Sequence, residues 1–533
     1  MKRLSILLFC TLILMVGVSI APVAADGHCP QEGGIFTIGV TDILPMDPDT
    51  AASDWTFYII TNIHSMLFRI ESGQPVGDLA ESWDISEDGT VYTWHLRKGM
   101  MWHDGNDVFP EGESREVVAD DVVYTLYRSY NNEASMMAAD LRNIFVSAEA
   151  IDDYTVVLTL SAPDAIIYDK ARGLTWTAIV PKEAIELYGD EYGLHPVGSG
   201  PFEFVSYAPD EEVVLQANED YYIDPCLDGV VFKALPDVPA AMIALEAGDI
   251  DWWGSVTPGD DVARFQENED MTVINFGCPV ATRLYMSVDQ APFDDVRFRQ
   301  ALAVMRDGDA INAALRGATH VKGAGTAGPG VAGYVEGLYD EYMQYDPDLA
   351  MSLLDEMGIV DTDGDGLREW EGENMVIPMY SSNSDPAPDY VAATVDAGAK
   401  IGLTIEPVIT DAGTANASRL AGEWGIHFGS GWCGEGGTNS LWGRNGWISS
   451  LGYEDEEIFE LLDLAASNLD EEEREQQLQA VTRRIAELYW EPAFGFFNIF
   501  TVKNNYVKDF FGGEWTLNLV TDDHNVWIAE DER

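Results

Sequence analysis

Basic residues are scarce in this sequence. Lys and Arg together number 29 against 92 Asp and Glu, leaving a net charge of −63. Phosphate recognition needs clustered Lys and Arg, so nucleic acid is excluded as a partner. Only nine of the basic residues are Lys, and the balance reads as a hydrated acidic surface suited to a saline medium, where salt screens the self-repulsion. Long apolar runs are also missing, with one exception. Leu4 to Ile20 follows Lys2-Arg3 and ends near Val23-Ala24-Ala25, so residues 1–25 read as a signal peptide cleaved before Asp26. No later stretch has the roughly 20 uninterrupted apolar residues of a membrane span. The expected mature protein is exported to a periplasmic or extracellular space.

Cysteine is sparse. Of five, Cys10 goes with the signal, and Cys29, Cys226, Cys278 and Cys433 remain, an even number for an oxidising compartment. Four cysteines allow three pairings, and the sequence does not choose among them. Asp26-Gly27-His28 ahead of Cys29 is no lipobox, so a lipid anchor is not expected. Catalytic signatures are absent too: there is no Gly-x-Ser-x-Gly, no Walker A motif and no His-Glu-x-x-His, and the eight histidines include no pair at metal-ligand spacing. An enzyme is therefore not the expectation. Gly323-x-Gly-x-x-Gly328 matches a dinucleotide fingerprint in letters, but Pro329-Gly330 stand where the anion-binding helix should begin, so it reads as a flexible loop.

What is present is enough for two or three domains. The chain has 533 residues, 46% of them apolar and 11% aromatic, which suits packed cores and not disorder. Strand and helix patterns are mixed. Tyr154 to Leu160 is a β-branched run, and Phe202–Tyr207 and Glu212–Leu215 flank the turn Pro209-Asp210. Asp346-Pro347 opens a helix with Leu349, Leu353, Leu354 and Met357 on its apolar face and Gly358 closing it. Asp470 to Tyr489 is a second helix, with Leu478, Val481, Ile485 and Leu488 as its stripe and acidic residues at its N-terminal end. No repeat and no low-complexity linker divides the chain.

Several blocks carry a family resemblance. They are Leu79-Ala-Glu-Ser-Trp83, Ser86-Glu-Asp-Gly89, Leu96-Arg-Lys-Gly99 through Trp102-His-Asp-Gly105, Gly198-Ser-Gly-Pro-Phe202, Asn218 to Tyr222, Gly248-Asp-Ile-Asp251, Pro292 to Arg297 with Gln300-Ala-Leu302, and Asp361 to Gly366. In this order, from about residue 35 to 530, they resemble the family 5 extracellular solute-binding proteins, the oligopeptide-, dipeptide- and nickel-binding receptors of ABC importers. Two places depart from the pattern: an insertion at Asn106 to Val118, and Asp307-Gly308 where the family has Asp-Arg. The resemblance implies an α/β fold of periplasmic binding protein type, class II, with two large lobes, a small inserted lobe and a ligand cleft between the large ones. Expected boundaries are lobe I at 26–70, 181–277 and 501–533, lobe II at 71–180 and lobe III at 278–500. The implied partners are a small-molecule ligand, a peptide or an oligosaccharide, and permease subunits at the membrane, with the receptor itself a monomer.

The site expectations follow. Residues 424–447 hold four tryptophans (Trp424, Trp432, Trp442 and Trp447) and eight glycines, a composition suited to gripping flat groups and to close backbone approach. Gly431-Trp-Cys-Gly-Glu435 resembles the segment of oligopeptide receptors whose acidic residue holds a peptide's α-ammonium group. By that resemblance Glu435 is the ammonium partner, and Gly431, Trp432, Cys433, Asn439 and Trp55 complete the candidate ligand-binding set. The resemblance also implies a Cys278–Cys433 disulfide and, with it, one between Cys29 and Cys226. Asp361, Asp363 and Asp365 have calcium-loop spacing and Glu369 could add a carboxylate, but Gly372 occupies the twelfth position, so this is no EF-hand. A metal-free turn is the expectation there and structural calcium the alternative; no other cofactor is implied. Rival readings are an oligosaccharide receptor, a nickel-type receptor using His427, a secreted hydrolase, and a chaperone-like or signalling receptor.

Overall fold

The structure, a computed structural model, describes residues 29–533 apart from 52, 72–73, 133–141, 143, 166, 168–176, 257–258, 278, 384–385, 431–437, 439–440, 445, 447 and 511–516. Three principal sheets organise it. The first has seven strands in the order Met271–Asn275, Phe500–Asn504, Trp252–Val256, Ile35–Val40, Gly229–Ala234, Glu212–Ala217 and Phe202–Ala208. Ile35–Val40 runs parallel to both neighbours, and Phe36, Ile38 and Val40 are fully buried, as a strand inside a sheet requires. The hairpin expected around Pro209-Asp210 is present, its turn carried by Asp210 at φ 60°.

The second sheet has six strands: His320–Val321, Ala493–Phe497, Val280–Met286, Ile426–Ser430, Val376–Ser382 and Thr404–Thr410. The third is a four-stranded antiparallel sheet of Ala80–Ile85, Val91–Leu96, Thr155–Leu160 and Phe145–Asp152. Its Ser86–Gly89 turn places Gly89 at φ +69°, a conformation that glycine adopts without a Cβ clash. Trp94 stacks on Phe68 at 5.4 Å and meets Trp83 at 5.1 Å, an aromatic core for this sheet.

The Gly198-Ser-Gly-Pro-Phe block now has a physical reason. A Cβ on Gly198 would lie 1.9 Å from the Ile63 carbonyl oxygen, and one on Gly200 would lie 2.8 Å from the same group. Only glycine lets this segment pass across the end of helix Asp54–Ile63. Cys29 and Cys226 form a disulfide, Cα to Cα 5.3 Å, which holds the start of the described chain to the first sheet's body. Cys278 and Cys433, the other implied pair, lie outside the described residues.

Two sequence readings need correction. Helix Pro347–Glu356 is capped by Asp346 as expected, but Leu349 is 37% exposed; Ala350, Leu353 and Leu354 form the buried face, because the core lies over that side of the turn. The Gly323–Gly328 segment is a loop, but a packed one. Ala324 and Ala327 are buried, and Thr326 shares a hydrogen bond with Thr482 on helix Glu471–Glu487.

Candidate functional site

The two large sheets are joined by neighbouring crossings. Met271–Asn275 leads through Phe276 into Val280–Met286, and Ala493–Phe497 leads through Ile499 into Phe500–Asn504. The Phe276 amide donates to the Ile499 carbonyl at 2.9 Å, and Val331 and Ile499 pack against the buried Phe276 side chain. Paired strands leaving one sheet for another along a single line make a hinge, about which the sheets can turn and close over a bound molecule.

Strand Ile426–Ser430 ends beside this hinge. Its Ser430 stands opposite Thr282, and Thr282 opposite Gly495. The strand therefore carries the chain to residue 431, where the candidate ligand segment starts. Gly431, Trp432, Cys433, Glu435 and Asn439 themselves lie outside the described residues, as does Trp447.

The other tryptophans of the run are placed. Trp424 donates its indole N–H to the Ala291 carbonyl and meets Phe293 edge-on. Trp442 is fully buried, stacked on Trp490 at 5.8 Å and set against Tyr453. Both belong to the core of the second sheet's body. Trp55, in the first turn of helix Asp54–Ile63, is half-buried between Tyr58 and Trp253 and lies against Gly254, where a Cβ would come within 2.9 Å of its ring. His427 is buried and stacked on Tyr380 at 4.7 Å, and its Nε2 bonds the Glu423 carbonyl. Burial pushes its pKa down.

On the acidic loop the structure brings Asp361, Asp363 and Glu369 together, one oxygen of each within 4.8 Å of the others, the one such metal-capable group among the described residues. Asp365 is not part of it; its carboxylate accepts from the Leu367 amide and from Asn374. The three convergent carboxylates also serve the loop itself. Asp361 accepts from the amides of Gly364 and Gly366, Asp363 from that of Asp365, and Glu369 from the amide and hydroxyl of Thr362.

Sequence reasoning passed over one group at the hinge. Arg316, Tyr390, Asn312 and Phe497 meet there through a cation–π contact and a chain of hydrogen bonds. Three separate segments supply them, with Asn312 and Arg316 one turn apart on helix Gly308–Arg316, so no local pattern could have revealed the whole group.

A mixed α/β molecule of several lobes, with its large sheets joined by paired crossing strands, has the architecture of a periplasmic binding protein. Residues 74–445 match the family model described as bacterial extracellular solute-binding proteins, family 5 Middle, and the chain belongs to that family. The dipeptide-binding protein of Escherichia coli (strain K12) is 29% identical over 310 residues, 55% of this chain and 56% of the relative. Heme-binding protein A of Haemophilus influenzae is 30% identical over 363 residues, 62% of this chain and 61% of the relative. The chain thus spans less than two thirds of these two relatives. Among solved structures, the periplasmic binding protein DppA from Helicobacter pylori, in complex with the peptide STSA, superposes with a TM-score of 0.78 at 22% identity, covering 94% of this chain and 99% of that one. No helix among the described residues is long and apolar enough to cross a membrane.

Proposed function

We propose that this chain captures a short peptide in the cleft between its two large sheets and delivers it to the permease of an ABC importer, acting as an exported receptor and not as an enzyme. The paired hinge crossing at Phe276 and Ile499 carries the reading, because capture and release need a joint that lets the cleft open and shut. Peptide is favoured as ligand by the name of the Escherichia coli relative and by the peptide held in the Helicobacter pylori structure. Glu435 is assigned the ligand's ammonium group and Trp432 the adjoining wall, since a charge enclosed by closure needs a partner. The oligosaccharide alternative draws on tryptophans for stacking, and two of the four in its run, Trp424 and Trp442, are already used in the core.

The test is a thermal-shift screen of the refolded mature protein in high salt, against di- to pentapeptides and β-linked oligosaccharides. Ligand bound to the native state alone raises the melting temperature, by an amount that grows with its concentration over Kd. Shifts with peptides, lost on N-acetylation and in Glu435→Gln, are expected. Shifts with sugars alone would overturn the reading.

A further inference from the structure

Two large hydrophobic cores give the molecule two bodies. One core is continuous from the first sheet to the third and includes Ile38 and Val40 with Trp94 and Val156. The other belongs to the second sheet and includes Leu462 and Ala465 of helix Glu456–Ser467. Away from the crossing at Phe276 and Ile499, these bodies touch again. The Ala165 amide, just beyond strand Thr155–Leu160, donates to the Ala466 carbonyl at 2.8 Å. Ala466 lies in the last turn of its helix, where carbonyls have no partner within the helix, and the other body supplies one. Three residues on, the Leu469 Cδ1 lies 3.2 Å from where a Cβ on Gly89 would stand.

The touching groups carry no charge, but their neighbours do. Gly89 is buried and is backed on its own body by Pro163; a side chain there would push Leu469 away. Leu469 remains 54% exposed, so the contact is small and easily parted. Glu87 and Asp88 precede Gly89, and Asp470 and Glu471 follow Leu469, all four exposed. Closing the cleft therefore brings carboxylates of one acidic body up to those of the other. Their repulsion reaches about 10 Å at 0.1 M salt and only about 3 Å at 1 M. The amide–carbonyl bond and the Leu469 contact do not depend on screening, so salt decides which side prevails.

We propose that Gly89 and Ala165 of the small-sheet body, with Ala466 and Leu469 of the second-sheet body, form a salt-dependent latch. It holds the cleft shut at high ionic strength and releases it as salt falls. The small sheet thereby takes part in capture, because it shares a core with the first sheet and carries that sheet with it. The inference rests on the hinge reading above and on no particular ligand.

Small-angle X-ray scattering from the refolded, ligand-free mature protein tests it. The two conditions are about 1 M KCl and the lowest KCl that leaves far-ultraviolet ellipticity unchanged, so that expansion means opening and not unfolding. The wild type should have the smaller radius of gyration in high salt and the larger in low salt. Leu469→Asp, which sets a charge against the Gly89 turn, should have the larger radius in both. Asp88→Asn with Asp470→Asn keeps the turn and cap hydrogen bonds and should have the smaller radius in both. Leu349→Asp, exposed elsewhere on the second-sheet body, should follow the wild type. If Leu469→Asp does not fold, Leu469→Ala should move the wild-type transition to higher salt. A wild-type radius independent of salt would overturn the latch. So would a Leu469→Asp radius as small as the wild type's in high salt, or a double Asn variant that opens like the wild type. None of these results touches peptide capture, which the thermal-shift screen decides. A screen without any shift beside a salt-dependent radius would sink capture and leave the latch standing.

Discussion

Acidification should destabilise this protein through His103, and the size of the effect follows from its surroundings. His103 is buried where the small-sheet body meets the Gly198–Gly200 segment. Its backbone amide donates to the Gly198 carbonyl at 2.8 Å, and Nε2 lies 2.9 Å from the Gly200 carbonyl. Nε2 therefore carries the proton, and Nδ1 is buried with no partner. A second proton would sit on Nδ1 in a dry site. Burial accordingly lowers the pKa from 6.5 to about 4, against a smaller upward pull from the Gly200 carbonyl and Asp104. Because the folded pKa lies below the unfolded one, the unfolded chain takes up the proton first as pH falls from about 6.5 towards 4. Stability is lost across that window, by roughly 3 kcal/mol when complete and about 2 kcal/mol by pH 5. His103→Gln keeps a donor for the Gly200 carbonyl and removes the titration. Urea unfolding of both proteins at intervals from pH 8 to 5 isolates this effect from the protonation of the many carboxylates, which is common to the two. The wild type should lose about 2 kcal/mol more than the variant. Parallel curves would mean that His103 is charged in the folded protein or meets water, and the reasoning would be wrong.

Three further outcomes follow from packing and pairing. Asp78 is fully buried and holds Arg69 at 2.9 Å, the Tyr221 hydroxyl at 2.7 Å and the Met66 amide at 2.7 Å. Asp78→Asn, which leaves Arg69 without its counter-ion, should cost about 3–5 kcal/mol in denaturant unfolding, and a loss under 1 kcal/mol would refute the pairing. Trp442→Ala should cost about 3–5 kcal/mol by removing the stack on Trp490; if it instead alters ligand affinity with unchanged melting, Trp442 belongs to the cleft. The Cys29–Cys226 bond spans 197 residues of sequence, so Cys29→Ser with Cys226→Ser should lower stability by up to about 5 kcal/mol on the chain-entropy argument, read as a fall in melting temperature that reductant reproduces in the wild type.

Local chemistry announced itself in the sequence wherever neighbours along the chain were enough. Asp346 and Asp470 cap their helices by accepting from amides two or three residues on, and the Pro209-Asp210 turn is set by its own residues. These contacts span a few positions, so composition and spacing reveal them. The tryptophan run was legible as aromatic surface, but not the use of each ring, because burial depends on what folds over it. Trp442 meets Trp490 from 48 positions away, and Trp424 bonds Ala291 from 133. Similarly, the acidic loop's spacing put Asp365 beside Asp361 and Asp363, whereas the folded loop turns it towards Leu367 and Asn374 and supplies Glu369 in its place.

The sequence by itself determined the family, the mixed α/β class and the local turns and caps, since each depends on short patterns. The tertiary structure alone decided which strands cross together at Phe276 and Ile499, why Gly198 and Gly200 must be glycine, and that Arg316 stacks on Phe497. Those are contacts between segments tens to hundreds of residues apart, and nothing in the local spacing of a chain encodes which distant surface will arrive beside it.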